Sequence, residues 1–438
     1  MIDLQKGDKK LLNAWAFYDW ANSVYTLTIA SAVFPIFYEA LFLKDNHYID
    51  VFGLHLKNTA LISFITATAF LVVSIISPLL SGIADYVGNK KTFMKFFCYL
   101  GAFSCMGLYM FDLENIYIGL TFYFLGLIGY WGSLVFYNSY LPDIAFPEQQ
   151  DEISAKGYSL GYIGSVILLI INLTMIMKPS LFGIIGTEGE AAMKAMRYSF
   201  VMVGVWWILF SQYSYYYLPK GNITQKKVTK AILFNGFNEL KKVWLLLDEN
   251  VRLKAYLRSF FVYSMAVQTV MLVATYFGAQ EIQWSSKEES TIGLIICILL
   301  IQIVAILGAV LTSKASEKWG NIPTLIVINS IWIVFCVLAY FISLPIHFYI
   351  MATIAGLVMG GIQSLSRSTY SKLLPETKDT ASFFSFYDVS EKVGIVIGML
   401  VYGAIDQITG SPRLAIVFLA LFFIMGVILL KRIPKKVS

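Results

Sequence analysis

Twelve apolar stretches run along this chain, each about as long as the roughly 20 residues a helix needs to cross a hydrocarbon core. They lie near 14–42, 59–84, 92–111, 115–141, 155–177, 197–218, 255–280, 290–313, 322–343, 346–373, 382–405 and 412–431. Nothing else in the sequence constrains the fold so tightly. Inside lipid no water satisfies backbone N–H and C=O groups, so segments of this length span as α-helices. Composition excludes the soluble alternative. Of 438 residues 58% are hydrophobic and 14% charged, with a mean hydropathy of +0.69; soluble domains hold about 45–50% and about 25%. Cys98, Cys105, Cys297 and Cys336 all fall inside apolar runs without metal-ligand spacing. They read as small buried hydrophobes, and neither a disulfide, a metal site nor a cofactor is expected.

The basic residues set the orientation. Of the 33 Lys and Arg, 25 fall on the side of the amino terminus, seven on the other, and Lys392 within a span. Positive charge stays inside, so both termini are expected in the cytoplasm, in a cell (inner) membrane. The polar start MIDLQKGDKKLLNAW leads into the first span without a small-residue cleavage site, so that span is expected to remain. The net charge of +6 resides in these loops and implies lipid rather than nucleic acid as its partner. One long polar connection, 219–254, separates an amino-terminal unit, 1–218, from a carboxyl-terminal unit, 255–438. Within it, residues 229–247 place Leu233, Phe237, Leu240, Trp244 and Leu247 on one helical face, opposite Asn235, Asn238, Glu239 and Lys242. A basic amphipathic helix along the inner membrane surface, tethering the two units, is expected.

The second unit echoes the first. Gly82-Ile-Ala-Asp85-Tyr-Val-Gly88-Asn89 follows span 2, and Lys314-Ala-Ser-Glu317-Lys-Trp-Gly320-Asn321 follows span 8, with 232 positions from Gly88 to Gly320. Tyr137…Pro142-Asp143 closes span 4 and Tyr370…Pro375-Glu376 closes span 10, with 233 positions between the prolines. Two marks at nearly one offset indicate a duplicated six-span unit. The expected fold is an all-α polytopic membrane protein, twelve transmembrane helices in two pseudo-symmetric six-helix bundles. Parallel repeats of this kind build transporters whose solute site lies between the halves near mid-membrane.

Gly82-x-x-Asp85-x-x-Gly88-x-Lys90-Lys91 resembles the loop between spans 2 and 3 of the major facilitator superfamily. Narrower stretches are similar to its autophagy-related vacuolar effluxer-like branch, the unknown major facilitator family of bacteria. These are Ala16-Phe-Tyr-Asp19-Trp-Ala-Asn22-Ser23, Ile153-Ser154-Ala-Lys156-Gly157-Tyr158-Ser-Leu-Gly161-Tyr162-Ile-Gly164, and Gly360-Gly361-Ile-Gln363-Ser-Leu-Ser-Arg367-Ser368. That branch often carries an acid in span 7 just before Val-Gln-Thr; here Ser264-Met265-Ala266 precedes Val267-Gln268-Thr269. The resemblance implies secondary active transport of a small solute by alternating access, with amino-acid efflux the activity of the fungal branch. Protons or another ion are the implied coupling partners. Another solute class, such as sugars or peptidoglycan fragments, stays open as an alternative, with a non-transport receptor behind it.

Ionisable side chains inside a span are costly and face the bundle interior or a wet cavity. Asp19 shares a helical face with Asn22 and Ser23, a combination that suits a solute or cation; a local pairing role is the alternative. Gln268 and Gln363 add hydrogen-bonding groups that either touch solute or hold helices together. Asp85 is expected at the amino end of span 11, where the helix dipole favours a carboxylate. Arg367 in span 10 and Asp388, Glu391 and Lys392 in span 11 are gating candidates. Arg367 is expected to meet Asp388 or Glu391 when the cytoplasmic mouth closes. No catalytic constellation stands within the spans, and no phosphate-binding loop indicates an ATP-driven pump.

Overall fold

The computed structural model describes residues 4–42, 48–51, 53–221 and 232–434. The first span is continuous from Lys9 to Leu41: α1 (Lys9–Val24), a π-helical segment (Tyr25–Ala32) and α2 (Val33–Leu41). A short antiparallel hairpin follows, β1 (Tyr48–Val51) and β2 (Leu54–Lys57), with Asp50 opposite His55. The hydropathy pattern gives no sign of it. Then come α3 (Asn58–Val87), α4 (Lys90–Gly107), α5 (Ile116–Ser139), the one-turn α6 (Leu141–Ile144), α7 (Gln150–Met177) and α8 (Glu188–Tyr217). After the connection stand α9 (Ile232–Glu249), α10 (Val251–Glu281), α11 (Lys287–Trp319), α12 (Asn321–Leu338), α13 (Pro345–Leu373), α14 (Thr380–Thr409) and α15 (Pro412–Lys431).

Among the described residues, 11 helical segments are long and apolar enough to cross a membrane. The twelfth, α8, has 30 residues but is rich in Tyr, Trp and Ser, which lowers its hydropathy. Several helices start before the apolar stretch does: α1 at Lys9, α7 at Gln150, α8 at Glu188. A helix satisfies its own backbone, so nothing obliges it to stop where the lipid does. Asp8 caps α1 by accepting from the Lys10 amide at 2.7 Å, and Thr187 with Glu190 forms a capping box on α8.

One apolar core is built from residues between Leu11 and Leu218, and a second mainly from residues between Leu253 and Ile433. Ala381 of α14 joins the first, and Tyr162 of α7 joins the second. The units meet where α3 and α5 pack on α14 and where α7 packs on α11 and α13. The α3–α4 turn closes on Gly88 (φ 72°) and the α11–α12 turn on Gly320 (φ 86°), so both copies of the repeat use backbone that favours glycine.

The helix of the central connection departs from expectation in one respect. Residues 229–231 lie outside the described residues, as do the side chains of Leu233, Phe237 and Leu240. Of the rest, Val243 and Leu247 are buried while Trp244 is 59% exposed, its ring 5.8 Å from that of Phe386. The packed face is therefore turned toward Val243, because α9 lies against α3, α10 and α14 and not only against lipid.

Candidate functional site

The site is built around one buried ion pair that joins the two units. Asp19 stands ten residues into α1 and Arg367 six residues before the end of α13. Asp19 Oδ2 accepts from Arg367 Nη1 at 3.1 Å and from the Tyr137 hydroxyl at 2.8 Å. The other guanidinium donors go to Ser154 Oγ (Nε, 3.0 Å), the Ser154 carbonyl (Nη2, 2.9 Å) and Asn138 Oδ1 (Nη1, 3.3 Å). The faces of Trp15 and Tyr158 lie 4.7 and 4.2 Å from the guanidinium carbon. Arg367 is 1% exposed and Asp19 4%, so each charge depends on the other: removing one partner of such a pair costs about 3–5 kcal/mol.

Gly157 of α7 makes this approach possible. A Cβ there would stand 2.5 Å from Asp19 Oδ2 and 3.0 Å from Arg367 Nη2. Ser154, one turn earlier, also donates from its hydroxyl to the Ser364 carbonyl at 2.7 Å, tying α7 to α13 beside the pair.

The expected meeting of Arg367 with Asp388 or Glu391 does not occur. Asp388 is bound by Lys392 one turn along the same helix, and Glu391 accepts from Gln268 Nε2 at 2.8 Å. The physical reason is helix rotation: Arg367 points toward α1 and α7, whereas Asp388 and Lys392, four apart, face each other. Lys392 Nζ also sits 4.3 Å over the Trp131 ring of α5, a contact between the units.

Gln363 accepts from the Tyr162 hydroxyl at 2.7 Å, again across the two units. Asn22 is fully buried, with its Nδ2 unpartnered, and Ser23 Oγ donates to Asn22 Oδ1 at 3.3 Å. Ser23, Thr26, Tyr158, Gln268, Gln363 and Glu391 are each only half-buried although they lie well inside the bundle. They form a polar wall beyond the ion pair.

Asp85 lies at the amino end of α14, where it accepts from the amides of Ala381 (3.3 Å) and Ser382 (2.7 Å) and from the Ser382 hydroxyl (2.7 Å). Lys90 reaches Asp143 and donates to Thr380 Oγ1 at 2.7 Å. At the matching turn of the second unit, Asp151 reaches across from the start of α7 in the first unit and accepts from Ser316 Oγ (2.8 Å), Asn321 Nδ2 (2.9 Å) and Lys372 Nζ (2.6 Å). Sequence reasoning missed Asp151, Lys372, Tyr137 and Tyr158 as functional side chains, and took no account of Ser154 and Gly157 individually. The last two stood in a quoted motif, Ile153-Ser154-Ala-Lys156-Gly157, and that was the available signal.

Two bundles of six spans, joined through buried polar groups at one end and in the middle, define a membrane transporter of the major facilitator superfamily. Solved structures agree on the fold. The Escherichia coli fucose:proton symporter FucP superimposes with a TM-score of 0.68 over 98% of both chains at 14% identity. The human organic anion transporter MFSD10 gives 0.69 over 97% of this chain and all of that one at 12% identity. Within that class, the chain belongs to the vacuole effluxer Atg22-like family, whose model matches residues 7–437. An MFS-type transporter of Bacillus subtilis, YxiO, is 30% identical over 99% of this chain and 97% of its own. Autophagy-related protein 22 of Eremothecium gossypii is 23% identical over 94% and 88%.

Proposed function

We propose that this transporter moves a small polar solute by alternating access, and that the Asp19–Arg367 pair holds shut the mouth on the side of the termini. The supporting observation is where the units touch. Among the described residues, hydrogen bonds between the two bundles run through Asp19, Asp85, Lys90, Asp151, Ser154, Tyr162 and Arg367. All but Tyr162, at the midpoint of its span, lie in the halves of their helical spans nearer the side of the termini. The bias of basic residues supports reading that side as cytoplasmic, with both termini inside, and the Bacillus subtilis relative supports a cell membrane. The units run 1–218 and 255–438, with 219–254 as their tether.

Beyond the pair, Asn22, Ser23, Gln268 and Gln363 offer amide and hydroxyl groups suited to a polar solute. Amino acids are the first class to assay, since relatives of this family are vacuole effluxers by name, and sugars the second. The reading fails or stands on a double-mutant cycle in proteoliposomes supplied with labelled amino acids and sugars. Asp19→Leu and Arg367→Met should each abolish uptake and open the termini-bearing mouth in spin-label distance measurements. The double variant leaves no orphan charge and should regain the closed population in part. Strict additivity in the distances would dismiss the pair as a gate, and absence of uptake of every solute by the native chain would dismiss these solute classes.

A further inference from the structure

The middle of the bundle holds an unbalanced charge. Among the described residues Asp19, Asp388, Glu391, Arg367 and Lys392 stand inside α1, α13 and α14 with buried or half-buried side chains, three acids against two bases. Lys156 and Arg258, as far into their helices, are exposed, and Arg197 in α8 is paired with Asp112. Arg367 is committed to Asp19. Lys392 is committed to Asp388 and to the Trp131 ring. Glu391 is left over, with the Gln268 amide as its hydrogen-bond partner. An amide donor weakens but does not cancel the cost of a bare carboxylate in a dry interior. A second, separate observation lies in the same cluster: Asp388 is 5% exposed, and its Oδ2 has no partner. Two acids and one lysine here lack one positive charge and one hydrogen-bond donor.

We propose that Glu391 carries a proton in the transport cycle, binding it when the cluster is dry and releasing it when water reaches the carboxylate. This rests on the alternating-access reading above. The step forms and breaks a single O–H bond; the proton comes from water on one side of the membrane and returns to water on the other.

Position supports it. Glu391 lies eleven residues into the 30-residue α14, about 16 Å along the helix from Thr380. It is half-buried, so water can reach it more readily than Asp388 and Lys392 beside it, which are buried. The groups around it are these: Tyr387, Asp388 and Lys392 on α14, Tyr263 and Gln268 on α10, Tyr130 and Trp131 on α5, and Tyr158 on α7. Packed on α14 as well, α3 and α15 carry ionisable groups only at their ends. None of these supplies a second fixed cation. A metal ion is a poor substitute: hard cations take six or more oxygens, and no group of three or more His, Cys, Asp or Glu gathers among the described residues. Lys392 would also repel it.

The test needs no solute. Infrared difference spectra of the full chain in liposomes, taken across a pH step, should show a buried protonated carboxyl band. Glu391→Gln keeps the size and an acceptor for Gln268, and should remove that band, while Asp19→Asn should leave it. Gln268→Leu should raise the band's pH midpoint, because an amide that favours the ionised form is gone; a rise in proton affinity of about twofold to thirteenfold is expected, from about 0.5–1.5 kcal/mol per hydrogen bond. A band that survives Glu391→Gln, or vanishes only in Asp388→Asn, overturns the assignment. So does the same spectral change on exchanging choline for sodium at fixed pH, which would make the cation a metal. Spin-label distances across the termini-bearing mouth separate this from the parent reading. If they respond to the Asp19 and Arg367 variants while the spectrum ignores Glu391→Gln, the inference alone is lost. If Glu391 titrates in a molecule whose distances never move, the proton site stands and alternating access is lost.

Discussion

The α3–α4 turn and the α11–α12 turn occupy equivalent places in the two units, yet they bind their opposite neighbours in different ways. In the first, the acid belongs to the turn: Asp85 reaches the amino end of α14 and is held mainly by backbone amides. In the second, the residue at the matching position, Glu317, is exposed. The acid is supplied from the other side, by Asp151 at the start of α7, and is held by the side chains of Ser316, Asn321 and Lys372. Each junction is built on a carboxylate, on the turn in the first and on the facing helix in the second, so the amino-terminal unit supplies both. A carboxylate on a helix end tolerates changes in side chains nearby, since its donors are backbone N–H groups. One held by three side chains, with an ion pair among them, does not.

The sharpest way to break this comparison is Asp151→Ala. It leaves the Lys372 charge without its acid, while Ser316 and Asn321 keep Ser313 and Thr369 as partners, and should cost about 2–4 kcal/mol of stability in detergent, read by thermal unfolding. Adding Lys372→Met should return a large part of that loss; if the two changes simply add, the junction is not held by their pairing. Next in size is Asp85→Asn. Its amide oxygen keeps an acceptor but loses the charge, so about 1 kcal/mol should go, seen as a wider termini-bearing mouth in distance measurements. Ser382→Ala removes one hydroxyl donor and leaves both amides, and should move the open–closed balance read by the same distances by about 0.5–1 kcal/mol. Last, Glu317→Gln should change unfolding by less than about 0.5 kcal/mol. A loss there as large as that of Asp85→Asn would show that the turns are alike after all.

The spans and the duplication could be read from the sequence because they depend on length, hydropathy and spacing alone. Rotation about helix axes could not, and that is where expectation and structure part. Arg367 was matched to Asp388 and Glu391 by depth, but depth says nothing about the direction in which a side chain leaves its helix. Charge accounting narrows the choice: Asp388 and Lys392 lie four apart and satisfy each other, leaving Arg367 with Asp19 or Glu391. The turned face of α9 has the same origin, since a hydrophobic stripe is ambiguous between lipid and neighbouring helices. The exchange of Glu317 for Asp151 was out of reach because the two acids are 166 positions apart and nothing local links them.

The π-helical segment of the first span has a mechanical consequence. Each π turn holds one residue more than the α turn it replaces, and taking one residue out of a helix rotates everything beyond it by about 100°. On one side of this segment α1 carries Asp19, committed to the opposite unit. On the other, α2 anchors Phe34 and Phe37 among Phe111 and Phe200 of its own unit. Tyr25–Ala32 is thus a torsional joint between a gripping end and a rooted end. Torque applied at the grip is absorbed as a change of helical pitch, so one end of the span can turn while the aromatic root stays still.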